Sequence, residues 1–146
     1  APGEGVVGLA SLEADAPPLA LGTAQGVVKR VIPGDVPGGR DEWDVIGLKD
    51  RDRVIGCGAA PDGAWLVFMA TDAQLLRFAA EGVRPQGRAA GGMAGIKLAA
   101  AAEALFFGVV EDLDTAAAVS IAGSTNALPG LETGAAKVTP LREYPP

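Results

Sequence analysis

Three basic side chains, Arg84, Arg88 and Lys97, lie in the stretch from Val83 to Leu98, which contains no carboxylate. The guanidinium group of arginine binds phosphate oxygens as a planar fork, and glycines let a backbone come close to a ligand. This stretch therefore predicts a surface that contacts phosphate groups through its cations and through a low loop. The glycines of that loop are Gly87, Gly91, Gly92 and Gly95.

Charge is unevenly distributed along the chain. The 146 residues include 12 basic and 18 acidic side chains, for a net charge of −6. Residues 65–98 carry four basic side chains against two acidic ones, a local charge of +2, so the remainder carries −8. The acidic total argues against a nucleic-acid partner, because phosphate binding depends on basic surface. The local excess of cations in residues 65–98 still allows this region to bind nucleic acid.

Most catalytic chemistry is excluded by composition. The chain has no histidine and a single cysteine, Cys57, which rules out a Cys-His nucleophile, a Ser-His-Asp triad and an internal disulfide. The acidic residues Asp41, Glu42 and Asp44 lack a histidine partner, and Gly91–Gly95 lacks the Lys-Ser/Thr of a phosphate-binding P-loop. We expect no catalytic residue, metal or cofactor in this segment. No apolar run approaches the roughly 20 residues of a membrane span, so we expect a cytoplasmic protein.

The distribution of turn-forming residues predicts an all-β fold. Twenty-one glycines and 11 prolines separate short runs rich in β-branched residues. The run from Ala99 to Leu105 has helix-forming residues but is too short for an isolated helix, so a turn leading into a strand is expected. The predicted strands are 6–12, 19–23, 26–32, 43–48, 53–57, 65–70, 74–78, 93–98, 104–110, 118–122 and 135–139.

An internal repeat indicates the architecture. The alignments place Thr23 on Thr71, Lys29 on Arg77, Leu48 on Leu98 and Gly56 on Gly108. A repeat of 40 to 50 residues with four short strands has the size of one propeller blade. About three copies, at 19–60, 65–112 and 115–146, then form one partial domain over residues 1–146. Closed propellers need four to eight blades, so a complete ring would require residues outside this chain or a partner.

Two segments carry a family resemblance. Thr23-Ala-Gln-Gly-Val-Val-Lys-Arg and the segment that begins at Thr71 resemble a blade-opening Thr-x-x-Gly-x-x-Lys-Arg motif. The segment from Val83 to Leu98 resembles a loop and strand written Gly-Arg-x-x-x-Gly-x-x-Gly-Ile. Both motifs are found in the C-terminal domain of the A subunit of bacterial type IIA DNA topoisomerases, which the chain resembles over most of residues 5–145.

The resemblance implies a β-pinwheel, a propeller-like fold of four-stranded antiparallel blades around whose basic rim duplex DNA bends. It implies a non-catalytic, sequence-independent DNA-wrapping role in ATP-dependent strand passage. The implied partners are double-stranded DNA, the B subunit of the topoisomerase and a second A subunit, with ATP and Mg bound elsewhere in the holoenzyme. Tyr144 lies outside any context like that of the family's catalytic tyrosine. The DNA-binding residues predicted from the motifs and the repeat are Lys29, Arg30, Arg77, Arg84, Arg88 and Lys97.

Two features depart from the family pattern. Gyrase carries a Gln-basic-Arg-Gly-Gly-basic-Gly box, of which Gln86-Gly-Arg-Ala-Ala-Gly-Gly is only a distant variant. Its absence favours the topoisomerase IV type, or gyrase blades away from the box. The acidic net charge favours an alternative, a propeller-like protein-interaction or structural module without direct DNA binding.

Overall fold

The computed structural model describes residues 4–34, 41–123 and 134–146. In this part of the chain, all regular structure is β-strand apart from two short 3-10 turns, Ala80–Gly82 and Leu141–Glu143, and no helix is long and apolar enough to cross a membrane. The predicted all-β class is confirmed. The strands are β1 (Leu19–Thr23), β2 (Val27–Val31), β3 (Val54–Ala59), β4 (Trp65–Ala70), β5 (Leu75–Ala79), β6 (Met93–Ala94), β7 (Ala104–Val110), β8 (Ala117–Ala122) and β9 (Ala135–Pro140).

The described strands form three antiparallel sheets of four, three and two strands. The first has the order β3-β1-β2-β6, the second β5-β4-β7 and the third β8-β9. Strand β6 belongs to the second repeat by sequence, yet it pairs with β2 of the first repeat. The first sheet is therefore completed by a strand from the next repeat along the chain.

The three sheets stack face to face, and β4 shows why. Side chains alternate between the two faces of a strand. Leu66 and Phe68 pack towards Ala20 and Val28 of the first sheet, and the Phe68 ring lies 4.8 Å from that of its cross-strand partner Phe107 in β7. Val67 and Met69 pack towards β8-β9. The second sheet is therefore apolar on both faces, because it is buried between two neighbours.

The backbone shifts the first half of the repeat by one residue from the sequence alignment. Gly26 and Ala73, which lie 47 residues apart, both have positive φ in the β1–β2 and β4–β5 turns. Arg30 faces Ala20 across the first hairpin as Arg77 faces Val67 across the second. Arg77 is therefore the counterpart of Arg30 and not of Lys29, and the predicted spacing of 48 is wrong.

The second half of the repeat keeps a constant spacing. Arg51 and Ala101, which lie 50 residues apart, both have positive φ in the turns before β3 and β7. The same spacing continues into the strands, because Val54 pairs with Thr23 and Ala104 with Ala70 at matching irregularities. The predicted match of Gly56 with Gly108, 52 residues apart, is therefore wrong. Residues 35–40 and 124–133 of the first and third predicted repeats lie outside the described residues.

Three predicted strands differ from the structure. Residues 6–12 and 43–48 are not strands, and of residues 93–98 only Met93–Ala94 form one. A strand requires a hydrogen-bonded neighbour. Met93–Ala94 finds the free edge of β2, whereas residues 43–48 have no such edge beside them in the described chain. The other predicted strands are present to within two residues, and Ala99–Ala102 forms the turn expected before β7.

The packing of the first sheet against the second depends on a glycine. Gly22 of β1 is buried, and a Cβ atom built on it would overlap the ring of Phe107. We predict that Gly22→Ala lowers the free energy of unfolding by about 2 kcal/mol, because Phe107 has to leave its position in a packed core. Urea unfolding measures the change. Gly82→Ala, where a Cβ meets open space, is the control and should stay within about 0.5 kcal/mol of wild type. Equal losses in the two variants would contradict this packing.

Candidate nucleic-acid interface

The carboxylate-free stretch runs along the outer edge of the first sheet. At one end, the N–H of Gln86 donates to the carbonyl of Arg30 at 2.8 Å, and Pro85 forms a parallel bridge with Arg30. At the other end, the N–H groups of Gly95 and Ile96 donate to the carbonyl of Gly26 at 2.9 and 3.1 Å. The segment thus runs beside β2, and its residues Met93–Ala94 form the last strand of the sheet.

Three of the predicted cations lie along this edge. Arg84 and Lys97 are exposed and Arg88 is half-buried, and none of them forms an ion pair or side-chain hydrogen bond with a described residue. At about 3.3 Å per residue, the four steps from Gly26 to Arg30 span roughly 13 Å. Arg84 and Lys97 adjoin the two ends of this span, so the cations are spaced along the edge.

The glycines of this segment serve the backbone in different ways. Gly92 has φ of 82°, and a Cβ on it would lie 2.6 Å from the carbonyl oxygen of Val28. A Cβ on Gly95 would lie 2.7 Å from Cε2 of Phe68. These two glycines are required for close packing on β2. A Cβ on Gly87 would meet open space, and a Cβ on Gly91 would meet only the Gly47 carbonyl oxygen, at 3.1 Å.

Lys29 is not on the surface. Its side chain is completely buried, and Nζ donates to the carbonyls of Val45, Arg88 and Ala90 at 2.7, 2.7 and 2.8 Å. Burial lowers the pKa of Lys29 below its usual range, because removal from water disfavours the charged form. The predicted rim position of Lys29 is wrong: it lies beneath the turn that carries Arg88.

Arg30 is also an interior residue. Only 3% of it is exposed, and its guanidinium donates to the carbonyls of Ala60, Ala80 and Val83 and to Asp62 at distances of 2.8 to 3.3 Å. Its Nη1 and Nη2 groups donate to protein oxygens, and its Nε is buried without a partner in the described chain, so its donors are not available to a phosphate. The rim position predicted for Arg30 is therefore wrong as well.

Arg77 repeats this arrangement in the second sheet. It is 8% exposed, its Nε donates to the carbonyl of Tyr144 at 2.8 Å, and its guanidinium carbon lies 4.6 Å from the centroid of the Trp65 ring. This is the geometry of a cation–π contact. The surface position predicted for Arg77 is wrong, and Trp65 packs against Arg77.

The sequence carried a signal for these burials that the motif comparison missed. Lys29 and Arg30 are adjacent in a strand, so their side chains leave opposite faces and cannot both follow one rim. Valines flank the pair on both sides, and all five residues of β2 are buried. A cation in such a strand must be neutralised by nearby oxygens.

An open cleft of about 910 Å³ adjoins the edge. One side is formed by Gly87–Ala90 and the other by Glu42, Trp43 and Asp44. The predicted cationic surface therefore has two carboxylates next to Arg88. No group of three or more potential metal ligands occurs among the residues that the structure describes.

Comparison with known proteins agrees with this geometry. No family model matches the chain. The chain is 34% identical over 134 residues to the DNA gyrase A protein of Mycobacterium leprae and 31% identical over 134 residues to that of Mycobacterium tuberculosis. Each match covers 90% of this chain but only 10% and 15% of the relatives.

Solved structures locate the similarity within those long relatives. A structure of the DNA gyrase A C-terminal domain aligns with 66% of this chain and 32% of its own, at 26% identity and a TM-score of 0.57. The chain is homologous to the C-terminal domain of gyrase A. The C-terminal domain of a DNA topoisomerase IV aligns with 94% of this chain and 40% of its own, with a TM-score of 0.75 and 19% identity, which supports the shared fold. The fold is thus the β-pinwheel that the resemblance implied.

The sequence relatives also bear on the paralogue. Both are gyrase A proteins, although the gyrase-type box is absent from this chain. The absence of the box therefore does not single out topoisomerase IV. The relatives come from bacteria, in agreement with the bacterial family that the motifs resemble.

The hydrogen bonds from Arg30 to buried carbonyls stabilise the folded chain. We predict that Arg30→Met lowers the free energy of unfolding by about 3 kcal/mol, because the buried carbonyls of Ala60, Ala80 and Val83 lose their donor. Urea unfolding of the full chain measures the loss. The matched control is Arg84→Met, which removes an exposed arginine and should change stability by at most about 0.5 kcal/mol. A loss no larger than that of the control would show that Arg30 is dispensable inside the fold.

Proposed function

We propose that this chain is a DNA-binding and DNA-wrapping segment of the A subunit of a bacterial type IIA topoisomerase. Residues 1–146 form one part of the pinwheel domain in this proposal, and the parent enzyme acts in the cytoplasm. DNA cleavage, ATP and Mg²⁺ binding, and contacts with the B subunit or with a second A subunit belong to other parts of the holoenzyme. The homology to gyrase A supports the assignment of the domain.

One observation carries the proposed DNA contact. Arg84, Arg88 and Lys97 follow the outer edge of the first sheet without ion-pair partners in the described chain, in a protein whose other charged segments are mostly acidic. Cations without partners on an acidic protein are available to counter-ions. A polyanion is the ligand class that such a row attracts.

The spacing of the row suits a duplex backbone better than a base sequence. Its length of roughly 13 Å corresponds to about four phosphates of one strand, measured along the helix axis. Wrapping requires contacts to phosphates on a curved surface, and its sequence preference comes from DNA bending and not from base edges. We therefore expect binding to be sequence-independent and strongly salt-dependent.

The test is a change of charge along the edge. We predict that the triple variant Arg84→Glu, Arg88→Glu, Lys97→Glu loses duplex affinity equally for unrelated sequences. The slope of log affinity against log salt should become shallower by about 3, because three phosphate contacts disappear. Gel shift or fluorescence anisotropy over a series of salt concentrations measures both quantities.

A charge-matched control separates location from net charge. Arg53, Lys137 and Arg142 are exposed, and changing all three to Glu alters the total charge by the same amount. Arg53 precedes β3 at the opposite edge of the first sheet, Lys137 lies in β9 and Arg142 follows β9. This control should retain most of the wild-type salt slope. Equal losses in the two triple variants, or no duplex binding by the wild type at low salt, would refute the proposed interface.

A second candidate function rests on a different surface. An apolar cleft of about 860 Å³ separates the second sheet from β8-β9, and Leu105, Phe106, Val119 and Ile121 are exposed in it. Exposed apolar surface of this kind is typical of protein contacts. A stable complex with another topoisomerase subunit, without duplex binding at low salt, would select a protein-interaction or structural module.

A further inference from the structure

Lys29 fixes the direction of two peptide groups in the turn that carries Arg88. Lys29 Nζ draws in the carbonyls of Arg88 and Ala90, which lie within 2.8 Å of it. All described peptide bonds are trans, and in a trans peptide the N–H points away from the carbonyl of the preceding residue. The N–H groups of Ala89 and Gly91 must therefore point away from the interior.

These two N–H groups have no hydrogen-bond partner within the described chain. Ala89 and Gly91 are both exposed residues, and the backbone of Gly47 lies close to Gly91. The turn itself is closed by the N–H of Ala90, which donates to the carbonyl of Gly87 at 3.0 Å. Two outward donors on a closed turn can bind one anion together.

Arg88 adds a charge to the same site. Arg88 is half-buried and has no ion-pair partner among the described residues. It lies between Gly87 and Ala89 in the turn. The buried ammonium of Lys29 lies on the inner side of the same turn, so both cations favour an anion there. Glu42 and Asp44 line the adjoining cleft together with Arg88 and disfavour an anion inside it, so we expect the anion on the solvent side of the turn.

We propose that the outer side of the Gly87–Gly91 turn is a phosphate-binding site formed by the N–H groups of Ala89 and Gly91 and the guanidinium of Arg88. Lys29 is its positioning residue: it touches no phosphate, but it turns the carbonyls inward and thereby the amides outward. The ligand is a phosphodiester oxygen of duplex DNA, which rests on the proposed function, and inorganic phosphate is the smallest probe of the same chemistry.

The site is tested first in the wild-type protein. Titration of the 15N-labelled chain with inorganic phosphate, and then with a short blunt-ended duplex, should shift the amide signals of Ala89 and Gly91 together. Both signals should move before those of exposed loop residues elsewhere, such as Asp72 and Asp112. Unmoved amides at Ala89 and Gly91, with shifts elsewhere on binding, would overturn the site.

A double-mutant cycle tests the role of Lys29. We expect Arg88→Ala and Lys29→Met each to weaken duplex binding about tenfold, and the double variant to be no weaker than about tenfold, because both changes disable one site. The control, Lys49→Met, removes an exposed lysine and should combine with Arg88→Ala without any coupling. Losses that multiply to about a hundredfold in the Lys29→Met, Arg88→Ala protein would overturn the positioning role.

The outcomes separate this site from the proposed function. Loss of duplex binding in the Glu triple variant, with unmoved Ala89 and Gly91 amides in wild type, would retain the DNA-binding role and reject the turn site. Phosphate shifts at the turn, without duplex binding by wild type, would reject the DNA-binding role and the duplex as ligand. Should Lys29→Met fail to fold, the wild-type titration alone decides, because it needs no substitution.

Discussion

Lys29 and Arg30 are adjacent buried cations of β2 that hold the second repeat against the first. Together they donate to the carbonyls of Ala80, Val83, Arg88 and Ala90, all of which belong to the second repeat. A buried charge without such oxygens would be very costly, so sheet and loop must assemble together. The position of the loop is therefore fixed by the first sheet and not by the loop's own sequence.

The exchange of β6 into the first sheet depends on the same contacts of Lys29 and Arg30. The loop that Lys29 and Arg30 secure continues directly into β6, which closes the first sheet. The boundaries of the first sheet consequently differ from those of its sequence repeat, because its fourth strand comes from the repeat that follows. Within the described residues, the second sheet has three strands, all from its own repeat.

Local patterns predicted the strands but not the register or the buried cations. Residues 65–70 and 104–110 were predicted with their observed bounds, since apolar and β-branched runs define strands locally. The one-residue error in the repeat arose because Thr71 was matched to Thr23 by type, whereas the turn is set by the positive φ of Gly26 and Ala73. The valines around Lys29 indicate its burial, but the carbonyls that it contacts lie up to 61 residues away, and no local pattern contains them.

The division of roles among the cations inverts the motif-based prediction. Lys29 and Arg30, which match the family motif most closely, are occupied by backbone carbonyls, whereas Arg84 and Lys97 outside that motif are exposed. A motif of buried residues specifies how one blade joins the next, so its presence indicates a fold and not a ligand. The proposed DNA contact can then vary through the exposed cations alone, while the joint between blades stays the same. An acidic protein of this fold can accordingly keep the joint intact and still carry unpaired cations along one short edge.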